Sequence, residues 1–425
     1  KGLNFAPAHI HSSHFEYPKF SRNTRIKYVI PEDELEVQQA VQKPQKPKKN
    51  IVMSLIPALV MLALTIVLRG IIGGGGTFVI YSAVSMGMGV IMSIVSFVED
   101  NKNYKKEYAE RIDRYSGYIN EKRKTIEASR ANEIRIRNLI YESLDNSIAE
   151  VNSFGKRLFE REYGDDDFLQ IYLGKGTIES SNQVQYPIQE FIDLDDPLAT
   201  IPKDVAEEYK FINDAPITSD FYHSCGIGVV GSPDMIKQVI KNMTLDISVR
   251  HFFNDVKLVY ILNGSLGEDL SWIRWLRNVE NTKLGIRNIA VDEESKNIIL
   301  EDLYSILSER ETLSEQTKDI TFTEQYVVFV TGATSIASHP VSKYFKNCSN
   351  YGFTFVFLEE FEEFIPQGCS EIISLSGEKQ GLTIKTENGD NITEFAFPYV
   401  SDEVASELAN KLGAISVDEV SLEGE

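Results

Sequence analysis

Gly226 and Gly231 carry the most suggestive spacing in the chain. A phosphate-binding loop reads G-x-x-x-x-G-K-[ST] between a strand and a helix: its backbone N–H groups cradle phosphate, its Lys reaches the phosphate oxygens, and its hydroxyl holds magnesium. The segment Gly226 to Asp234 reads Gly-Ile-Gly-Val-Val-Gly-Ser-Pro-Asp, so Ser232 stands where Lys is needed and Pro233 where Ser or Thr is needed. Proline also removes a backbone donor. What remains is an ordinary helix start, with Ser232 as N-cap, Pro233 at the first helical position and Asp234 in the first turn. Asp234 would repel an anion at a helix end that otherwise attracts one. Ile236, Val239, Ile240 and Met243 then supply a buried stripe.

The second element of a nucleotide site is an acidic residue after a buried strand, where it holds magnesium. Tyr326 to Ala333 places Thr331 and Gly332 there, and the strand-like run Leu258 to Leu262 ends in Asn263 and Gly264. The run Glu359, Glu360, Glu362, Glu363 offers carboxylates, and reads as a solvated acidic face. No catalytic residue, bound cofactor or metal is expected in this chain. His9, His11 and His14 form H-x-H-x-x-H but lack an obvious fourth ligand. Cys225, Cys348 and Cys369 are too few and too scattered for a disulfide framework, and read as small buried hydrophobes. The formal net charge of −20 argues against a broad phosphate-binding surface, hence against nucleic acid as a partner.

The elements that must position these residues divide the chain. Ile51 to Leu68 and Thr77 to Val98 are apolar runs, each near the roughly 20 residues that a helix needs to cross a bilayer. The short link Arg69 to Gly76 makes them a helical hairpin, with residues 50–98 as a membrane region in contact with lipid. A buried core pair is the competing reading, and core helices rarely run so long without a polar face. Lys43, Lys46, Lys48 and Lys49 before the hairpin and Lys102, Lys105 and Lys106 after it put both ends in the cytoplasm. Residues 1–49 form a pre-membrane segment; the start at Lys1 reads as a piece of a longer protein.

Residues 99–150 form a charged helical stalk. Tyr104, Tyr108, Ile112, Tyr115 and Ile119 recur at helical spacing, with Glu107 and Arg111, and Glu110 and Arg114, placed to pair four apart. A continuous stalk would span roughly 75 to 80 Å, while Gly117 could break it into a folded-back pair. The apolar stripe requires burial against another helix, from this chain or a second copy.

Residues 151–415 alternate strand and helix. Strands are expected at Phe168 to Leu173, Ile227 to Val230, Leu258 to Leu262, Val327 to Val330, Phe353 to Leu358 and Ile372 to Leu375, several of them unbroken apolar runs suited to burial on both faces. Helices are expected at Val205 to Ile212, Pro233 to Ser248, Glu268 to Arg277, Leu300 to Thr312 and Val404 to Leu412. The fold class is α/β with a mostly parallel sheet covered on both sides.

In order along the chain, Phe20-Ser-Arg-Asn-Thr-Arg25, Leu158-Phe-Glu-Arg161, Asp167-Phe-Leu-Gln-Ile-Tyr-Leu-Gly174, Trp272-Ile-Arg-Trp275-Leu276, Phe397-Pro-Tyr-Val-Ser401 and Ala405 to Leu412 resemble the motif series of one family. The series is similar to that of the membrane-anchored FtsK/SpoIIIE-type ATPases of type VII secretion, the EssC and YukB proteins of Gram-positive bacteria and EccC of actinobacteria. Arg277 and Asn278 replace the family's Pro and His, and Tyr399 its Asp. The resemblance implies a P-loop, RecA/FtsK-like cytoplasmic domain that is the first and degenerate ATPase-like domain of a secretion motor, with ATP and magnesium used only by further ATPase domains downstream. Residues 416–425 would then be the linker to the next domain. It implies a homo-oligomer, other membrane components of the same machine, and small WXG-type helical-hairpin substrates reached through downstream domains as partners. A DNA translocase of the same superfamily is the alternative, and expects more spans, a basic channel and an intact phosphate loop. A membrane-tethered kinase-like regulator expects a large domain between its spans, which the short turn excludes.

Overall fold

The computed structural model describes residues 19–20, 25–47, parts of 56–67, 76–188, 195–290, 292–318, 320–377, 380–385 and 391–417. It resolves into two compact units that are not successive stretches of sequence. One comprises Lys1–Pro31, Asn132–Glu179 and Phe211–Glu425; the other comprises Glu32–Ala131 and Ser180–Lys210. The three histidines, residues 69–75 of the link and half of the first apolar run lie outside the described residues.

The helices are α1 (Gly76–Ile140), α2 (Leu144–Ser153), α3 (Ile201–Glu208), α4 (Pro233–Arg250), α5 (Gly264–Asp269), α6 (Glu293–Gln316) and α7 (Asp402–Ala414). The main strands are β1 (Gln170–Glu179), β2 (Phe211–Asp220), β3 (Gly226–Val230), β4 (Val256–Ile261), β5 (Ile289–Ala290), β6 (Gln325–Thr331), β7 (Phe353–Glu359), β8 (Glu371–Ser376), β9 (Gln380–Lys385) and β10 (Asn391–Ala396).

In the larger unit these ten strands form one sheet in the order β2-β1-β10-β9-β8-β3-β7-β6-β4-β5. From β8 to β5 every neighbouring pair is parallel. From β8 to β2 every pair is antiparallel. The sheet therefore keeps the expected parallel part, to which an antiparallel part is added. All six expected strands are present, but β2, β5, β9 and β10 were not anticipated, and β2 begins inside the stretch expected to end a helix. The expected helix at Glu268 to Arg277 is instead α5 followed by 3-10 turns at Ser271–Trp275 and Arg277–Val279.

Two apolar cores cover the sheet, one on each face, as strands such as Val327–Val330 require for burial on both sides. One core takes in α2, α4 and α7, the other α6. Ser416 and Val417 pair in parallel with Lys19 and Phe20, so at least these two residues belong to the folded unit and not to a linker.

In the second unit α1 runs through Gly117 without a break, because an open helix face accepts glycine at a cost of only about 1 kcal/mol relative to alanine. Tyr115, Ile119 and Ile126 are buried as the stripe demands, but their cover is not a second long helix. It is the extended segment around Leu35 and Val37, together with Val184, Leu198 and Val205 from the 180–210 insertion. Tyr115 Oη donates to Gln38 O at 2.9 Å, and Tyr118 Oη accepts from Gln38 N at 2.9 Å. Arg111, expected to pair with Glu107, donates to both carboxylate oxygens of Asp196 instead.

Among the described residues no helix is long and apolar enough to cross a membrane. Near the start of α1, Ile80, Val84, Met88, Ile91, Met92 and Val95 are all exposed.

Candidate functional site

Gly226 to Val230 are themselves the strand β3, in register with Phe355–Glu359 on one side and, from Ile227 onward, with Glu371–Ser374 on the other. Gly226 thus opens a strand rather than a loop. Only Gly231 and Ser232 separate β3 from α4, too few to wrap a phosphate. Gly231 N donates to Glu359 O at 3.1 Å. A Cβ on Gly231 would stand 2.8 Å from Leu375 Cβ, and one on Gly228 2.8 Å from Ile365 Cγ2, so aliphatic side chains pack directly against this backbone. Ser232 holds the extended N-cap conformation and Pro233 the first turn as expected, but the Ser232 side chain makes no cap hydrogen bond. Ile236, Val239, Ile240 and Met243 are buried.

At the end of β6, Thr331 ties strand ends together: its Oγ1 accepts from Asn263 N at 2.7 Å and donates to Ile261 O at 3.3 Å. Gly332 has φ of +68°, the left-handed conformation that favours glycine. The nearest carboxylate is Glu359, which accepts from Ala333 N at 2.5 Å and is pushed above the usual carboxylate range by burial, against that hydrogen bond. Glu360, Glu362 and Glu363 are exposed. Among the described residues no group of His, Cys, Asp or Glu is placed to hold a metal.

The residues of the motif series do converge, at a place their spacing did not reveal. Leu158 to Arg161 runs beside the end of α4, with Phe159 N donating to Val249 O and Arg161 N to Arg250 O. Arg161 is fully buried; its Nη1 donates to Gln170 O at 2.7 Å, its Nη2 to Ile140 O at 3.2 Å, and its Nε lies 3.3 Å from Asp167 Oδ2. Arg25, the last residue of the Phe20-to-Arg25 motif, donates to Asp167 Oδ1 at 2.6 Å and to Asp165 Oδ2 at 3.1 Å. Phe20 meets Phe159 edge to face at 5.9 Å. Burial would raise the Asp167 carboxyl, but the Arg25 hydrogen bond and the Arg161 and Arg25 charges hold it below the usual range.

The network continues inward. Arg250 Nη2 donates to Glu142 Oε2 at 2.6 Å and to Ser147 Oγ at 2.9 Å, and Arg157 bridges Glu142 and Glu160. Asp246 accepts from Tyr172 N at 3.0 Å. His251 Nε2 accepts from Leu169 N at 3.0 Å while Nδ1 faces Ile247 O at 3.2 Å, which places the proton on Nδ1. Burial and the Arg161 charge lower His251 to about 3. The closing motif docks on the same helix: Asn242 Nδ2 donates to Pro398 O at 2.7 Å and Lys241 Nζ to Val400 O at 2.6 Å. These motif residues hold Phe20 and Arg25, α4 and the entry to α7 together, which is structural chemistry.

Comparison with known proteins decides the relationship. Type VII secretion system protein EssC from Staphylococcus aureus strain MSSA476 is 27% identical over 383 residues, covering 89% of this chain and 26% of that protein. ESX secretion system protein YukB from Bacillus subtilis strain 168 is 23% identical over 368 residues, covering 86% of this chain and 24% of that protein. The chain is homologous to the type VII secretion proteins EssC and YukB. It spans about a quarter of the length of these relatives. No family profile matches it. The solved ATPases 2 and 3 of EssC from Geobacillus thermodenitrificans align over 60% of this chain and 50% of that one at 9% identity and a TM-score of 0.40, a likeness too slight to build on.

Proposed function

We propose that this chain is the membrane-anchoring and regulatory portion of a type VII secretion motor, whose first ATPase-like domain works through protein contacts without turning over nucleotide. The observation that carries this reading is the state of the Gly226–Gly231 segment: β3 runs to Val230, Gly231 N donates to Glu359 O, and Leu375 and Ile365 pack directly against Gly231 and Gly228. The missing Lys, the Pro233 substitution and the absence of an acid at Thr331 and Gly332 support it.

Membrane anchoring is supported by the two apolar runs flanked by lysines and by the exposed apolar side chains at the start of α1. Partners under this reading are further copies of itself, other membrane components of the machine, membrane lipid, and small WXG-type substrates engaged by downstream domains. A DNA translocase is disfavoured by the net charge of −20.

Labelling in intact cells with a membrane-impermeant maleimide tests the anchor. With the native cysteines replaced by serine, Ser116→Cys should be silent from outside and react after lysis. Efficient labelling from outside would overturn the topology.

A further inference from the structure

The sequence gives no reason to expect reactive thiols, and two of the three behave accordingly. Cys369 is buried and its thiol is pushed up to about 12 by burial, and Cys348 is fully buried with its thiol raised further. Cys225 differs. It sits immediately before β3 and is partly exposed. Its Sγ lies 3.0 Å from Ser349 Oγ and accepts from Ser349 N at 3.4 Å, at the start of the 3-10 turn Cys348–Tyr351. Cys348 Sγ donates to the Cys225 carbonyl at 3.1 Å.

We propose that Cys225 and Cys348 form a peroxide-responsive thiol pair, with Cys225 as the attacking thiolate and Cys348 as the resolving thiol. The geometry supplies both halves. The neighbouring Cys348 side chain and the Ser349 hydroxyl and N–H favour the Cys225 thiolate, bringing the group to about 6 despite the opposing effect of burial. Cys348 Sγ, held 3.1 Å from the Cys225 carbonyl, places a second thiol beside the first, which is what a sulfenic acid needs in order to close to a disulfide.

The chemistry balances with hydrogen peroxide as oxidant. The Cys225 thiolate attacks one peroxide oxygen; an S–O bond forms, the O–O bond breaks, and the leaving hydroxide takes a proton to become water. Cys348 sulfur then attacks the Cys225 sulfenic acid; the S–S bond forms, the S–O bond breaks, and a second water leaves with the Cys348 proton. Two thiols are oxidised and one peroxide is reduced to two waters. The disulfide would staple the entry of β3 to the turn that precedes β7, at the end of β3 opposite Gly231.

The test uses the full chain in detergent. At pH 7 iodoacetamide should modify Cys225 far more than ten times faster than Cys369, since a thiol near 6 is mostly thiolate while the buried Cys369, pushed up to about 12, is almost wholly protonated. Equimolar peroxide should yield a Cys225–Cys348 linked peptide in a non-reducing digest. In Cys348→Ser, an isosteric change, dimedone should trap the sulfenic acid on Cys225, and in Cys225→Ser neither remaining thiol should oxidise. Alkylation of Cys225 no faster than Cys369, or peroxide treatment of the unmodified protein that leaves a sulfenic acid on Cys225 without the linked peptide, would overturn the proposal. Both readouts on the unmodified chain hold whether or not the variants fold.

Discussion

Asp167 stands between two arginines, Arg161 behind it and Arg25 in front, and a buried ion pair of this kind matters most when one member is lost. Asp167→Asn leaves the fully buried Arg161 without its ion-pair partner and should destabilise the larger unit by about 3–5 kcal/mol, whereas Arg25→Ala, which leaves Asp167 paired with Arg161, should cost less. Urea unfolding followed by the fluorescence of Trp272 and Trp275 would measure it. The same network sets an acid sensitivity. His251 is about 3 in the folded chain against an ordinary value of about 6.5, so the unfolded chain takes up its proton first. Stability is therefore complete above about pH 6.5 and falls as the pH drops toward 3. Asp167, depressed when folded, adds a further loss below about pH 4 as it protonates. His251→Gln can still accept from Leu169 N but does not titrate, so its stability should be flatter between pH 6.5 and 4 than that of the unmodified chain.

Elements in this protein are stabilised more by what covers them than by their own propensities. Ile126 on α1 is buried against the 32–47 segment and the 180–210 insertion, and Ile126→Ala should cost that unit about 2–5 kcal/mol, read as faster amide exchange along α1 and α3. Gly117→Ala meets no atom within 4 Å and should stabilise the helix by about 1 kcal/mol, the opposite sign. The continuous apolar strands β3, β4, β6 and β7 were legible in the sequence because burial on both faces leaves unbroken Val, Ile and Phe runs. Strand β2 was not, since Phe211-Ile-Asn-Asp-Ala-Pro carries polar residues and a proline that a half-solvated antiparallel strand tolerates. For β9 and β10 a signal existed: Leu382-Thr-Ile-Lys and Ile392-Thr-Glu-Phe alternate in character around Asn388-Gly389. At the site, the lost Lys and acid could be read from residue types, whereas the packing of Leu375 and Ile365 onto the glycines and the meeting of Arg25 with Asp167, far apart in sequence, depend on the tertiary fold.

At the scale of the whole molecule, a homologue of EssC and YukB carries a mixed sheet in which Gly226–Val230 is a strand paired on both edges and aliphatic side chains pack against Gly228 and Gly231. The loss of the Lys contact alone is worth about 1.5–3 kcal/mol as a hydrogen bond to a charged group, and each 1.4 kcal/mol is about a factor of ten in affinity. Restoring side chains does not restore the loop, because Gly226–Val230 is held in the sheet on both edges. The Ser232→Lys, Pro233→Thr double variant should therefore remain inactive. The most direct measurement is isothermal titration calorimetry of the full chain with Mg-ATP. Heats indistinguishable from dilution up to millimolar nucleotide are expected; saturable micromolar binding that ADP displaces would contradict the account.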